Sequence, residues 1–311
     1  MIIRSIKLLT LSGILILSVS SCMKDDSEAQ IAEETRILNN YILSNNITVQ
    51  PTESGLYYIE TLAGTGDSAK VGKWMEIKYT GRLIYNNSVV MTSEKQVAVD
   101  NGLYVDKVYY GPTRLILGYI SYAGLNQGIA KMREGGKSRL IFPSDLALGG
   151  QSTALIPAYS SFVFDVELVN VIPDPRSFET GLMMEYLQSK ELSTDSTATG
   201  IYFTETVEGD GENPVDGDVV TVTYTGKFLN GNVFDATGTG KSFGFTLGTN
   251  AVIPGFENGV KMLRKNASAT VVIPYYHAYG DYGRFDNYYR NVIPPFTTLV
   301  FDLNLTNIVK D

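Results

Sequence analysis

The sequence predicts an α+β protein in which one unit is written twice. Three observations point that way. Tyr79-Thr80-Gly81 returns as Tyr224-Thr225-Gly226, an offset of 145 that many flanking residues share. Apolar residues alternate with polar ones, as in Val220, Val222 and Tyr224 against Thr221, Thr223 and Thr225, which is the period of a half-buried strand. A single helical stripe interrupts each set of strands: Leu125, Ile129 and Met132 in the first copy, Phe256, Val260 and Leu263 in the second. A twisted antiparallel sheet wrapped on one short helix satisfies all three.

The elements follow in chain order. Residues 1–21 read as a signal segment: Arg4 and Lys7 precede the apolar run LLTLSGILILSV, which is shorter than the span of about 20 residues that crosses a bilayer. Cys22, the only cysteine, follows directly and has no disulfide partner within the chain. This arrangement resembles the lipobox of bacterial lipoproteins, and the resemblance implies lipidation of Cys22 and a membrane anchor. Residues 22–28 then form a polar, acidic tether, similar to export signals of some surface lipoproteins and equally readable as a solvated spacer. The first unit occupies 29–172 and the second 173–311.

Each unit opens with an amphipathic helix. Over 29–43, Ile31, Thr35, Leu38 and Ile42 lie on one stripe; over 178–192, Phe178, Leu182 and Tyr186 do. Such helices pack on their own sheets or on each other, and the pattern leaves both open. Ile172-Pro173-Asp174-Pro175-Arg176 breaks the chain between the units. Paired glycines (Gly55 and Gly200, Gly64 and Gly209, Gly72 and Gly217) keep the offset of 145. It then shrinks, because residues 88–111 form an insert longer than the corresponding stretch of the second copy. Last come the strands of Phe162, Phe164 and Val166 and of Leu299, Phe301 and Leu303.

Composition bounds the chemistry. Of 311 residues, 44% are hydrophobic and 19% charged, enough for real cores, and the net charge is −8. No basic cluster follows the N-terminus, so nucleic acid is not an expected partner. With one histidine, one cysteine and no metal-ligand spacing, neither a metal nor a cofactor is expected.

The second copy carries Val222-Thr223-Tyr224-Thr225-Gly226, Val233-Phe234-Asp235, Ser242-Phe243-Gly244-Phe245, Val252-Ile253-Pro254-Gly255-Phe256-Glu257, His277-Ala278-Tyr279-Gly280 and Ile293-Pro294-Pro295. In that order and spacing, over about residues 200–309, they resemble the FKBP-type peptidyl-prolyl isomerases. The resemblance implies a cup for proline lined by Tyr224, Phe234, Phe243, Val252, Ile253, Phe256, Ile293 and Phe301. It implies catalytic roles for Asp235, as a buried pocket acid, and for Tyr279, as the hydroxyl that meets the substrate carbonyl. Where the family usually has a tryptophan floor this chain has Phe256. Phe245 alternates away from Phe243 and reads as core. His277 reads as a surface or structural residue. Tyr282, Phe285, Tyr288 and Tyr289 lie on a loop beside the cup, either gripping a client chain or folded onto one another.

The residue types suit that chemistry. Rotation about an X–Pro bond crosses a barrier of about 18–20 kcal/mol. The twisted amide is less dipolar than the planar one, so an apolar cup favours it without nucleophile or metal. The first copy keeps the scaffold and loses the cup: in the ungapped register Val89 and Val90 stand for Phe234-Asp235, Thr113 for Phe243, Leu125 for Phe256 and Leu148 for Tyr279. It reads as a degenerate FKBP-like domain that spaces, binds or supports, with the insert at 88–111 as its contact surface. The expected protein is therefore a prolyl isomerase acting on proline-containing polypeptides, lipid-anchored in the cell envelope (outer membrane, periplasmic face or cell surface). The rival reading is a non-catalytic, chaperone-like binding lipoprotein, and a third is a surface adhesin using exposed tyrosines.

Overall fold

The computed structural model describes residues 26–287 and 290–311. The signal segment, Cys22, Tyr288 and Tyr289 lie outside the described residues. The first unit runs α1 (Asp26–Ser44), β1 (Tyr57–Leu62), β2 (Trp74–Leu83), β3 (Val89–Thr92), α2 (Lys95–Asp100), β4 (Thr113–Ile116), α3 (Ala123–Ile129), β5 (Lys137–Phe142) and β6 (Phe162–Ile172). The second runs α4 (Pro175–Ser189), β7 (Tyr202–Val207), β8 (Val219–Phe228), β9 (Val233–Ala236), β10 (Phe243–Thr246), α5 (Pro254–Lys261), β11 (Ser268–Ile273), β12 (Arg284–Phe285), β13 (Asn291–Ile293) and β14 (Leu299–Val309).

The two main sheets share one plan. The first orders its strands β1-β5-β6-β2, with β3 and β4 both paired to β2; the second orders them β7-β11-β14-β8, with β9 and β10 both paired to β8. All these pairings are antiparallel. Period-two alternation decides which face is buried. On one face α3 closes a core of Met75, Ile77, Leu140 and Phe164, and α5 closes one of Val220, Val222, Val271 and Phe301.

The opening helices settle on the opposite faces, each on its own sheet. Leu38 of α1 joins Ile84, Ile141 and Val163, and Met183 and Leu187 of α4 join Val272 and Val300. Each fully buried aliphatic side chain contributes on the order of 2 kcal/mol. Both helices begin earlier than the hydrophobic stripe suggests. Asp26 and Glu28, read as tether, form the first turn of α1, where acidic side chains favour the positive end of the helix dipole. In α4, Asp174 accepts from the backbone N–H groups of Arg176 and Ser177 (3.2 and 3.3 Å), and Pro175 follows with its φ already helical. Proline at this point starts a helix as well as ending a strand.

Each helix also carries one buried carboxylate that ties it to its domain. Glu34 accepts from the Ser144 N–H and hydroxyl (2.6 and 2.7 Å) and from the Ser161 hydroxyl (2.6 Å). Glu179 accepts from the Thr298 N–H at 2.6 Å.

The units touch. Arg114 of β4 reaches Glu179 at 2.8 Å and donates to the carbonyls of Pro295 and Phe296 (3.0 and 2.7 Å). Trp74 meets Phe296 edge-on at 5.2 Å. The insert supplies a third contact: Tyr109 donates its N–H to the Asn291 carbonyl at 2.7 Å and packs edge-on to Phe228 at 5.0 Å.

Candidate active site

Strand pairing brings the rings together. In the β8–β14 ladder Tyr224 faces Leu303 and Gly226 faces Phe301, so Tyr224 and Phe301 lie 5.9 Å apart between centroids. The register shifts between Gly226 and Lys227 on the β9 side, and Asp235 falls opposite Gly226. Glycine is required there: a Cβ on Gly226 would lie 2.7 Å from the Phe234 ring and 2.9 Å from that of Phe301. α5 lowers Phe256 between Tyr224 (5.4 Å) and Phe301 (5.1 Å), with Ile253 at its N-cap and Pro254 in its first turn. Phe243 approaches Tyr224 at 6.2 Å, and Phe234 meets Phe301 edge-on at 5.6 Å.

These rings wall a cavity of about 510 Å³ that Val252, Ile253, Asp235 and Tyr279 also line. The Tyr224 hydroxyl donates to Asp235 Oδ2 at 2.8 Å. Burial, and then the bond to Asp235, push the Tyr224 phenol well above its ordinary range, so it is a fixed donor at neutral pH. Asp235 Oδ1 accepts from the Lys107 ammonium at 3.1 Å. The Arg284 guanidinium lies over the Tyr279 ring, 5.9 Å from its centre.

Four expectations change. Ile293 does not line the cavity; it is 1% exposed in the core beneath, and Val292 takes its place on the wall. Successive residues of β13 point to opposite sides, so only one of the pair can face the hollow. Asp235 is not buried: its side chain is 37% exposed and sits at the rim. In the first unit the counterparts of Phe234 and Asp235 are Val90 and Met91. Met91 faces Gly81 just as Asp235 faces Gly226, and both ladders carry the same bulge, which the ungapped register misses by one residue. Phe245 lies in the core, buried against Phe256, but it does not alternate away from Phe243: two apart on β10, the rings share a face and stack at 5.5 Å. On the neighbouring loop, Phe285 joins the cavity wall and Tyr282 is exposed.

The corresponding space in the first unit is packed from within. Tyr122 stands at the N-cap of α3, where α5 has Ile253. Its ring is buried 5.5 Å from Phe162 and 6.1 Å from Phe164. Met91 and Leu148 pack against the same cluster. Phe142 and Phe162 take the places that Ile273 and Leu299 hold in the second unit, and Phe142 stacks on Phe164 at 5.6 Å.

Residues 66–169 and 210–306 each match the family model described as FKBP-type peptidyl-prolyl cis-trans isomerase. The chain belongs to that family. Its FKBP-type segments together cover more than half of its length, and the sheet plan described above runs through both. Among relatives, FK506-binding protein 1 of Debaryomyces hansenii is 42% identical over 103 residues, covering 32% of this chain and 88% of that protein. The probable FKBP-type peptidyl-prolyl cis-trans isomerase FkpA of Neisseria meningitidis is 39% identical over 114 residues, covering 36% of this chain and 39% of that protein. The crystal structure of FkpA from Escherichia coli aligns with 31% identity and a TM-score of 0.37, over 43% of this chain and 61% of that one. The chain thus spans nearly all of the yeast FKBP and well under half of the Neisseria protein.

The insert of the first FKBP-type segment adds Asp106, Lys107 and Val108 to the wall, and the motifs of the second copy carry no signal for them. Their contribution depends on how the two segments meet, which strand periodicity does not encode.

Proposed function

We propose that the second unit, residues 173–311, is the working prolyl isomerase and that the first unit, 29–172, is a degenerate copy without turnover. The observation that carries this reading is the contrast between one recess open at about 510 Å³ and a twin filled by Tyr122 and Met91. A pyrrolidine ring fits the first and is excluded from the second.

In this reading the client proline enters among Tyr224, Phe256 and Phe301, which strip water from the X–Pro amide. Loss of resonance in the twisted amide is favoured by that apolar surround. Tyr279, at the rim, donates to the carbonyl that flanks the proline. Asp235, pinned by Tyr224, fixes the local field near the rotating bond. Every step is a contact or a desolvation and no covalent intermediate forms. The substrates are proline-containing chains. The signal-like residues 1–21 and the Cys22 that follows support a lipid-anchored protein of the cell envelope.

A protease-free cis–trans assay on the full chain tests the assignment. Tyr279→Phe and Asp235→Val together should abolish most acceleration with the fold retained by circular dichroism; full activity in that double variant would overturn the site. For the anchor, labelled fatty acid should appear on the wild type and not on Cys22→Ser.

A further inference from the structure

The insert of the first unit reaches the mouth of the second unit's cup. Lys107 bonds Asp235 across the boundary, and Asp106, Lys107 and Val108 line the ring-walled cavity. The same three residues also line an adjoining hollow of about 390 Å³ that holds Lys95, Tyr104 and Tyr110. The Lys107–Asp235 pair therefore lies on the wall that the two hollows share.

The insert is built, not slack. The Tyr110 hydroxyl accepts from the Val105 N–H at 3.0 Å and donates to the Leu103 carbonyl at 3.3 Å. Tyr104 stacks on Tyr110 at 5.6 Å, and Lys95 caps the Tyr104 ring at 5.4 Å. Tyr109 anchors the far end to Asn291. At its tip Lys107 has φ +63°, a left-handed conformation that a lysine adopts only where its surroundings impose it. That turn aims the ammonium at Asp235.

Charge at this mouth runs against the rest of the molecule. The chain carries a net charge of −8, yet Lys107 and Arg284 line the cup and Lys95 and Lys107 line the adjoining hollow. The acids facing them are Asp106 and Asp235, with Asp286 bonded to Arg290. Both oxygens of Asp235 are engaged, by Tyr224 and by Lys107. Lys107 gives Asp235 one N–H, and its side chain remains 63% exposed.

We propose that Lys107, delivered by the first unit, is a specificity-determining residue of the second unit's site, favouring client chains with a carboxylate within two residues of the proline. This rests on the isomerase reading for the location of the proline and predicts which neighbours that proline has. It also gives the first unit a task for which its own cup is irrelevant.

The test uses the full chain and short peptides in which Glu, Gln or Lys stands before or after the proline. Both binding and isomerisation are measured. The Glu peptide should bind up to about fivefold tighter than the Gln peptide, the range of an exposed ion pair, and the Lys peptide weaker than both. The ratio should fall to near one in Lys107→Gln, persist in Lys107→Arg, and shrink as salt rises. Equal binding of Glu and Gln peptides by the wild type, or an undiminished preference in Lys107→Gln, would overturn the proposal. A binding preference without turnover would support it while refuting the isomerase assignment; turnover that ignores the neighbour would refute this proposal alone.

Discussion

Arg114 and Glu179 face each other across the two units at 2.8 Å, with side chains 8% and 3% exposed. The same guanidinium holds Glu76 of its own unit at 2.8 Å and two backbone carbonyls of the other. Burial disfavours the arginine's charge, but Glu179 and Glu76 outweigh that and raise its pKa. Removing the cation leaves two carboxylates desolvated. Arg114→Met should therefore cost about 3–5 kcal/mol, the range for one orphaned partner of a buried pair. Arg114→Lys should recover little, because an ammonium cannot reproduce the planar fork that serves several acceptors. Urea unfolding followed by circular dichroism measures both.

The interface should open at alkaline pH. Burial, then the neighbouring Glu76, push the Tyr109 phenol up to about 12, with Arg114 opposing and Glu179 adding to the rise. A free tyrosine titrates near 10. Because the folded value is the higher, the stabilisation is complete below about pH 10 and is lost as pH climbs toward 12. Trp74, the only tryptophan, packs on Phe296 at this boundary. Its emission should shift red over that window, and Tyr109→Phe should suppress the shift. An unchanged transition in that variant would place the titrating group elsewhere.

Turnover, by contrast, should be flat between pH 6 and 9, a range centred on neutrality that lies well below the free tyrosine value of about 10. Tyr224 is shifted upward by burial and by its bond to Asp235, so it keeps its proton throughout. Tyr224→Phe frees Asp235 Oδ2 and should lower kcat/KM about tenfold, a loss of roughly 1.4 kcal/mol, within the range for a hydrogen bond to a charged group. Steady-state rates over that pH range, for wild type and variant, check both statements.

The repeat, the strand alternation and the short central helix were legible because each is a periodic signal within one unit. The ring wall was legible through the family resemblance that the motifs carry: Tyr224, Phe234 and Phe256 converge on one cavity as that resemblance implies. What periodicity cannot carry is the bulge after Gly81 and Gly226, which moves the counterpart of Asp235 from Val90 to Met91. Nor does it carry the partner of Asp235, since Lys107 lies 128 residues away on the other unit. The exchange of Ile253 for Tyr122, the substitution that fills the first recess, is visible at the sequence level only once the offset of the central helices is applied.

That exchange yields the final expectation. If the Tyr122 ring is structural filling, Tyr122→Ala should destabilise the first unit by about 3–5 kcal/mol, as large aromatic-to-alanine changes in cores do. The opened space should still not isomerise proline on the proposed site assignment, because Met91 stands where the second unit has Asp235 and Leu148 offers no hydroxyl. Combining Tyr122→Ala with Asp235→Val and Tyr279→Phe isolates the first recess from the second. Peptide turnover in that triple variant should not exceed that of the Asp235→Val, Tyr279→Phe double variant. Recovered turnover would mean that the bulk of Tyr122 alone keeps the first unit silent.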